Sequence, residues 1–114
     1  TPRGYLLQNP VKGMLRQIAC VHDAGGMKEE LDAIVDQGCE VVDVIVEHQI
    51  YGQLVGMLRL SSRNDVREFI RRSKGAQPLS YLTDGMHVHT ILCPDEPSYE
   101  RVKGSLADLG FLME

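Results

Sequence analysis

The chain has 114 residues and a formal net charge of −4, with 43% hydrophobic and 25% charged residues. This size and composition predict one soluble globular domain, and no stretch approaches the roughly 20 apolar residues of a membrane span. The acidic balance argues against nucleic-acid binding by the domain itself, because phosphate contacts need a basic surface.

Three widely spaced cysteines, Cys20, Cys39 and Cys93, lack a C-x-x-C pair, which argues against a disulfide framework or a structural zinc knuckle. They predict reduced, mostly buried thiols in a cytoplasmic protein, and no secretory signal is visible. Cys93 shares a strand face with His87 and His89, so it is either a core cysteine or, less favoured, a soft metal ligand.

Residues 1–13 are rich in Pro and Gly, which predicts a linker. Residues 14–22 predict the first strand, with Ile18, Cys20 and His22 on one face. The dipeptide Gly25-Gly26 then breaks the chain.

Apolar residues at helical spacing over 27–35 predict a first helix that Gly38 ends. The β-branched run 41–47 predicts a second strand, and residues 53–61 predict a third. The connection over 48–52 is short, which predicts antiparallel pairing, since a parallel crossover needs a dozen residues or more.

A second helix is predicted from Ser62 and Asp65, which resemble a capping pair, to Gly75. A strand over 86–93 follows, and Pro97 is suited to the first turn of a third helix. The apolar inward face of this helix is predicted to consist of Tyr99, Val102, Leu106 and Leu109. Gly104 inside the helix predicts a packing reason for a glycine there. Gly110 is placed to end the helix in a left-handed conformation, and residues 111–113 predict a last short strand.

The predicted order of elements is β-α-β-β-α-β, followed by a C-terminal helix and a short strand. Its first six elements have the split β-α-β-β-α-β pattern, which predicts an α+β fold with an antiparallel or mixed sheet and helices on one face. This architecture hosts many functions, so function has to be argued from the site.

The unit His87-Val88-His89 places two imidazoles on one strand face, where they can chelate a metal or simply hydrogen-bond at the sheet surface. His22 ends the first strand, and it is either a third ligand or a surface histidine at a turn. Glu30, in the first turn of the first helix, either completes a His₃-carboxylate set or only complements the helix dipole. Glu29 is its neighbouring competitor.

The turn after the second strand carries His48 and Tyr51, which can donate hydrogen bonds to a carboxylate or can simply form a polar hairpin loop. No nucleophile elbow or phosphate-binding glycine loop is present. A metal-dependent hydrolase acting on a small metabolite stays open as an alternative function, and a plain dimerisation module is a third.

Several motifs together resemble the 3H (three-histidine) domain of niacin-responsive transcriptional repressors of the NiaR type. The resemblance covers about residues 15–112, and its motifs in chain order are Val21-His22, Glu29-Glu30-Leu31, residues 41–48 with Tyr51-Gly52, Pro78-Leu79 with Leu82-Thr83, and residues 85–90. Gln49 departs from the family pattern, which usually has Pro there, and this alters the stiffness of the turn.

This resemblance implies a divalent transition metal, nickel or zinc, bound by the family's ligands at His22, Glu30, His87 and His89. It implies nicotinic acid as the effector, for which His48 and Tyr51 are our candidate contacts, and a regulatory rather than enzymatic role in NAD biosynthesis and niacin uptake. It further implies a homodimer whose DNA contacts come only from a helix-turn-helix domain N-terminal to the linker, with residues 14–114 as the effector- and metal-binding domain.

Overall fold

A computed structural model of the chain describes residues 13–74 and 85–113. Almost all of the predicted linker over 1–13 lies outside these ranges. The predicted helix end at Gly75 and the connection over 75–84, with its two family motifs, also lie outside them. These features stay predictions.

Four strands form one antiparallel sheet: β1 (Met14–Val21), β2 (Glu40–His48), β3 (Gly52–Leu60) and β4 (Met86–Cys93). Their order across the sheet is β1-β4-β2-β3. Since β4 is antiparallel to both β1 and β2, those two strands run parallel with β4 between them, which is the split pattern expected from the sequence. The antiparallel pairing of β2 with β3 is also confirmed.

Three helices cover one face of the sheet: α1 (Met27–Val35), α2 (Arg63–Arg72) and α3 (Glu96–Leu109). A 3₁₀ turn, Ala24–Gly26, leads into α1. The predicted ends agree with the structure, because the Ser62 side chain accepts a hydrogen bond from the Asp65 N–H at the start of α2 and Gly110 ends α3 with φ at 80°.

The core lies between the helices and the alternate residues of each strand that face them. Ile18, Val41, Ile91 and Leu106 are among its fully or almost fully buried members. The opposite face of the sheet has no helix of the described residues packed on it. The α+β architecture with helices on one face is therefore confirmed.

Two predictions near the end of α3 are wrong. Leu109 was expected to face inward but is 40% exposed, because the chain reverses at Gly110 and Phe111 and Leu112 pack against the core instead. The expected strand over 111–113 is only an isolated bridge between Leu112 and Cys20. No packing partner explains Gly104 either, since a Cβ added there meets nothing within 4 Å among the described residues.

Among the helices in the described ranges, none combines the length and the apolar character that crossing a bilayer would require.

Candidate metal centre

The register of the sheet brings the predicted histidines to one end of it. Cys20 pairs with His87 and Ile18 pairs with His89, so His22, immediately after β1, lies beside the start of β4. The 3₁₀ turn and α1 follow directly, and they place Glu30 over the same face. The site thereby combines four residues from the end of β1, from α1 and from β4: His22, Glu30, His87 and His89.

The Glu30 carboxylate is the centre of this cluster. Its Oε2 lies 2.7 Å from His87 Nε2, and its Oε1 lies 3.0 Å from both His89 Nε2 and His22 Nε2. The Glu30 side chain is 1% exposed, and the three imidazoles are at most 5% exposed. The four predicted ligands therefore form one buried site.

The opposite nitrogen of each ring contacts a backbone carbonyl. His22 Nδ1 lies 2.5 Å from Asp23 O, His87 Nδ1 lies 2.8 Å from Gly85 O, and His89 Nδ1 lies 2.8 Å from Asp43 O. A carbonyl oxygen only accepts hydrogen bonds, so each Nδ1 carries a proton and donates it. In a neutral imidazole with Nδ1–H, the lone pair is on Nε2, which here points at the carboxylate.

This arrangement requires a cation. Three Nε2 lone pairs facing a buried carboxylate would repel it, and an uncompensated buried charge is costly. Two kinds of positive charge relieve this: protons on the imidazoles, or a metal ion between the four donors. Backbone carbonyls that fix the ring orientation through Nδ1 are the usual outer support of histidine metal ligands.

The pKa shifts express the same electrostatics. Burial alone would raise the pKa of the Glu30 carboxyl, but its hydrogen bonds with the histidines hold that pKa far below its usual range. Burial likewise works to lower the pKa values of His22 and His89, but the nearby Glu30 carboxylate, together with the backbone carbonyls at Nδ1, more than offsets it, so both pKa values are raised. Without a metal, the Glu30 carboxylate therefore favours the protonated forms of His22 and His89.

His22 has the least satisfied ring of the three. Its Nε2 lies within ion-pair distance of Glu30 Oε1, but the geometry does not make a hydrogen bond, and this buried nitrogen has no such partner among the described residues. Buried polar atoms are nearly always paired. An unpaired ring nitrogen aimed into a carboxylate cluster is a donor that a metal ion would use, so the residues present fit a metal site.

Cys20 is a fifth potential donor that the sequence motifs alone did not indicate. Its sulfur, a Glu30 oxygen and a His87 ring nitrogen all lie within 4.8 Å of one another, and all three residues are buried. Burial and the nearby Glu30 charge raise the pKa of the Cys20 thiol well above its usual range, so it is neutral in the metal-free protein. The signal was present in the sequence, since Cys20 and His22 alternate on one strand face. Cys93, for which the sequence left open a role as a soft metal ligand, belongs to the buried core.

Two glycines make room for the cluster. A Cβ on Gly26 would come within 2.8 Å of the Phe111 ring and 3.2 Å of the His22 side chain. The Phe111 ring in turn packs against the His22 ring at 4.8 Å. A Cβ on Gly85 would lie 2.2 Å from the His22 carbonyl oxygen. Both glycines are therefore needed for the chain to close around His22.

His48 and Tyr51 lie on the turn between β2 and β3. Their rings stack at 4.9 Å, Tyr51 is 72% exposed, and His48 Nδ1 accepts hydrogen bonds from the backbone N–H groups of Ile50 and Tyr51. A neutral His48 therefore carries its proton on Nε2, the reverse of the three clustered histidines. Within the described ranges, no hydrogen bond or ring contact joins this turn to the cluster.

Comparisons with known proteins concern the chain as a whole. The model of the 3H domain family matches residues 15–114. The chain is 42% identical over 116 residues to the probable transcription repressor NiaR of Thermotoga maritima and 37% identical over 120 residues to the transcription repressor NadR of Bacillus subtilis. These alignments cover the whole chain but only 66% and 67% of the two relatives.

Proposed function

Because this chain belongs to the 3H domain family, we propose that it is the effector-sensing domain of a transcriptional repressor of NAD biosynthesis and niacin uptake genes. The two repressors to which it is similar support the regulatory role. In the whole repressor, DNA would be contacted only through a helix-turn-helix domain that precedes the linker over residues 1–13. This acidic domain would supply the effector site and the contacts between two copies in a homodimer.

The proposed metal ligands are His22, Glu30, His87 and His89, with nickel or zinc as the metal. The observation that carries this assignment is the shared tautomer of the three rings, each with Nδ1–H held by a carbonyl and Nε2 facing Glu30. Imidazole nitrogen with one carboxylate is a donor set that suits both metals. When bound, the metal would supply a positive charge and a Lewis-acidic position for a donor atom of the effector.

The proposed effector is nicotinic acid, which offers a pyridine nitrogen and a carboxylate. Its carboxylate needs hydrogen-bond donors, and the turn provides two, the Nε2–H of His48 and the hydroxyl of the exposed Tyr51. His48 lies at the end of β2 that is nearest the start of β4, so turn and cluster occupy the same end of the sheet.

Regulation by nicotinic acid requires two states of the dimer. A ligand shifts an equilibrium only by its differential affinity for the two states, so nicotinic acid would have to favour the dimer arrangement that binds DNA. Residues from β1, α1 and β4 meet at the cluster, so a ligand bound there would act on all three elements at once.

The test of the metal site uses Glu30→Gln with Glu29→Gln as the matched control. The two glutamates are neighbours in the first turn of α1, but Glu30 is buried at the cluster while Glu29 is exposed. Elemental analysis after loading with nickel or zinc should find metal in the wild type and in Glu29→Gln, and a strong loss in Glu30→Gln. If the double variant His87→Ala and His89→Ala keeps its metal, the assignment of the ligands is wrong.

The test of the effector uses calorimetry on metal-loaded and metal-stripped protein. Nicotinic acid should bind the loaded protein more tightly than either nicotinamide, which lacks the carboxylate, or benzoic acid, which lacks the ring nitrogen. Tyr51→Phe and His48→Gln should each weaken binding about tenfold, the effect of losing one hydrogen bond to a charged group, while Tyr99→Phe on α3 should not. Equal affinities for these three compounds, or turnover of a small metabolite, would contradict niacin sensing.

A further inference from the structure

A second pair of reactive side chains lies at the other end of the sheet from the metal centre. Cys39 directly precedes β2, and Cys93 is the last residue of β4. In the β2–β4 register Val41 pairs with Ile91 and Glu40 pairs with Leu92, so one further step places Cys39 opposite Cys93. Both cysteines are buried, at 1% and 0% exposure.

The hydrogen-bond pattern of the sheet determines whether Cys39 and Cys93 form a hydrogen-bonded or a non-hydrogen-bonded antiparallel pair. Val21 donates and Ala19 accepts backbone hydrogen bonds on the outer edge of β1, so the alternate residues, including Cys20, bond to β4. The β4 residues opposite them are every second residue from His87 to Cys93. The backbone N–H and C=O groups of these residues therefore point toward β1 and away from β2. Cys39 and Cys93 thus occupy a non-hydrogen-bonded position, where Cα atoms are about 4.5 Å apart and side chains are closest.

This separation is within the range that a disulfide spans, about 4.4–6.8 Å between Cα atoms. The two thiols are also close enough for each to influence the pKa of the other. Burial raises the pKa of Cys39 to about 12 and raises the pKa of Cys93 as well. Neither cysteine is therefore stabilised as a thiolate. Stabilisation of the thiolate would favour the reduced form over the disulfide.

We propose that Cys39 and Cys93 form a reversible intramolecular disulfide when the protein meets a small disulfide oxidant. One cysteine loses its proton, and its thiolate attacks a sulfur of the oxidant and releases a small thiol. The second cysteine then loses its proton, attacks the mixed disulfide and releases another small thiol. The protein loses two electrons and two protons, and the oxidant is reduced to two thiols.

The bridge would tie together two elements that carry the metal centre. Cys39 follows the end of α1, which holds Glu30, and Cys93 ends β4, which holds His87 and His89. The oxidised form should therefore be more resistant to heat, because a cross-link between distant residues reduces the freedom of the unfolded chain. Formation should be slow near neutral pH, because thiolates are scarce when thiol pKa values are raised.

The experiment exposes the purified chain to hydroxyethyl disulfide at mildly alkaline pH, followed by alkylation under denaturing conditions and peptide mapping. The expected product has lost two hydrogen atoms, links the peptides of Cys39 and Cys93, and has an alkylated Cys20. Its melting temperature should exceed that of the reduced chain, and mercaptoethanol should reverse both changes.

The single variants Cys39→Ala and Cys93→Ala should form no internal bridge, whereas Cys20→Ala should form it as the wild type does. Because the wild-type peptide map does not depend on the folding of any variant, it decides the proposal. Three free thiols, mixed disulfides only, or a bridge that includes Cys20 would each overturn it.

Discussion

At the level of one residue, Gly85 shows how the backbone positions the proposed metal ligands. It precedes β4 with φ at +89°, its carbonyl accepts the hydrogen bond of His87 Nδ1 at 2.8 Å, and it also accepts the His22 backbone N–H at 3.3 Å. An added Cβ would meet the His22 carbonyl oxygen at 2.2 Å. This one glycine therefore sets the positions of two proposed ligands.

We expect Gly85→Ala to reduce both stability and metal binding. The matched control is Gly52→Ala, because Gly52 also has a left-handed φ, +74°, but open space around it. The control should lose about 1–2 kcal/mol, the cost of a left-handed alanine. Gly85→Ala should lose more, because backbone atoms must also move, and urea unfolding with metal analysis measures both effects.

Equal losses in the two variants would contradict the close approach of Gly85 to His22. A Gly85→Ala protein that retained normal metal content would show that the carbonyl of residue 85 does not orient His87.

At the level of an element, helix α3 contains one residue with a poor helix propensity, Gly104. Asp95 caps its start by accepting a hydrogen bond from the Ser98 N–H, and Gly110 ends it. Gly104 lies between these ends, exposed and without a neighbour within 4 Å of an added Cβ. A glycine inside a helix costs about 1 kcal/mol relative to alanine.

Gly104→Ala should therefore raise the free energy of unfolding by about 1 kcal/mol. The reciprocal control is Ala107→Gly, at an exposed position one turn later, which should lower it by a similar amount. Thermal and urea unfolding of both variants provide the measurement. No gain in Gly104→Ala would contradict a helix-propensity cost at this position.

At the scale of the whole molecule, an ion pair links two helices on the surface. Arg63 at the start of α2 donates two hydrogen bonds to Asp36 after α1, at 2.8 Å and 2.7 Å. These bonds lower the pKa of the Asp36 carboxyl from its ordinary value of 3.8. Both partners are partly or largely exposed, so solvent screening keeps the contribution small.

The pH dependence of this contribution has a definite sign. A carboxyl whose pKa is lower in the folded protein adds stability above its unfolded pKa, and this is lost as the pH falls through the folded value. Asp36→Asn should therefore be less stable than the wild type at pH 7, and the difference should shrink below pH 3.8.

Asp108→Asn, which removes an exposed carboxylate on α3, should not reproduce this pattern. Urea unfolding at neutral and acidic pH measures the difference. A gap between Asp36→Asn and the wild type that stayed constant with pH would assign the effect to something other than the charge of Asp36.

Local patterns in the sequence were enough to predict most of the secondary structure. Strand alternation, β-branched runs and capping residues such as Ser62 and Gly110 act through neighbouring atoms, so they can be recognised without the fold. The same patterns failed at Leu109 and at residues 111–113, because the reversal at Gly110 redirects the chain and long-range packing decides which side chains are buried.

The sequence by itself determined the class of the fold, its four strands and three helices and, through the family motifs, the four candidate ligands. Only the tertiary structure decided that His22, Glu30, His87 and His89 meet, that Cys20 borders them, and that each Nε2 faces the carboxylate. The reason is physical: tautomer and orientation depend on backbone carbonyls of residues such as Asp43, which lies 46 positions from His89 in the chain. The same is true of Cys39 and Cys93, whose pairing follows from strand register and not from their spacing.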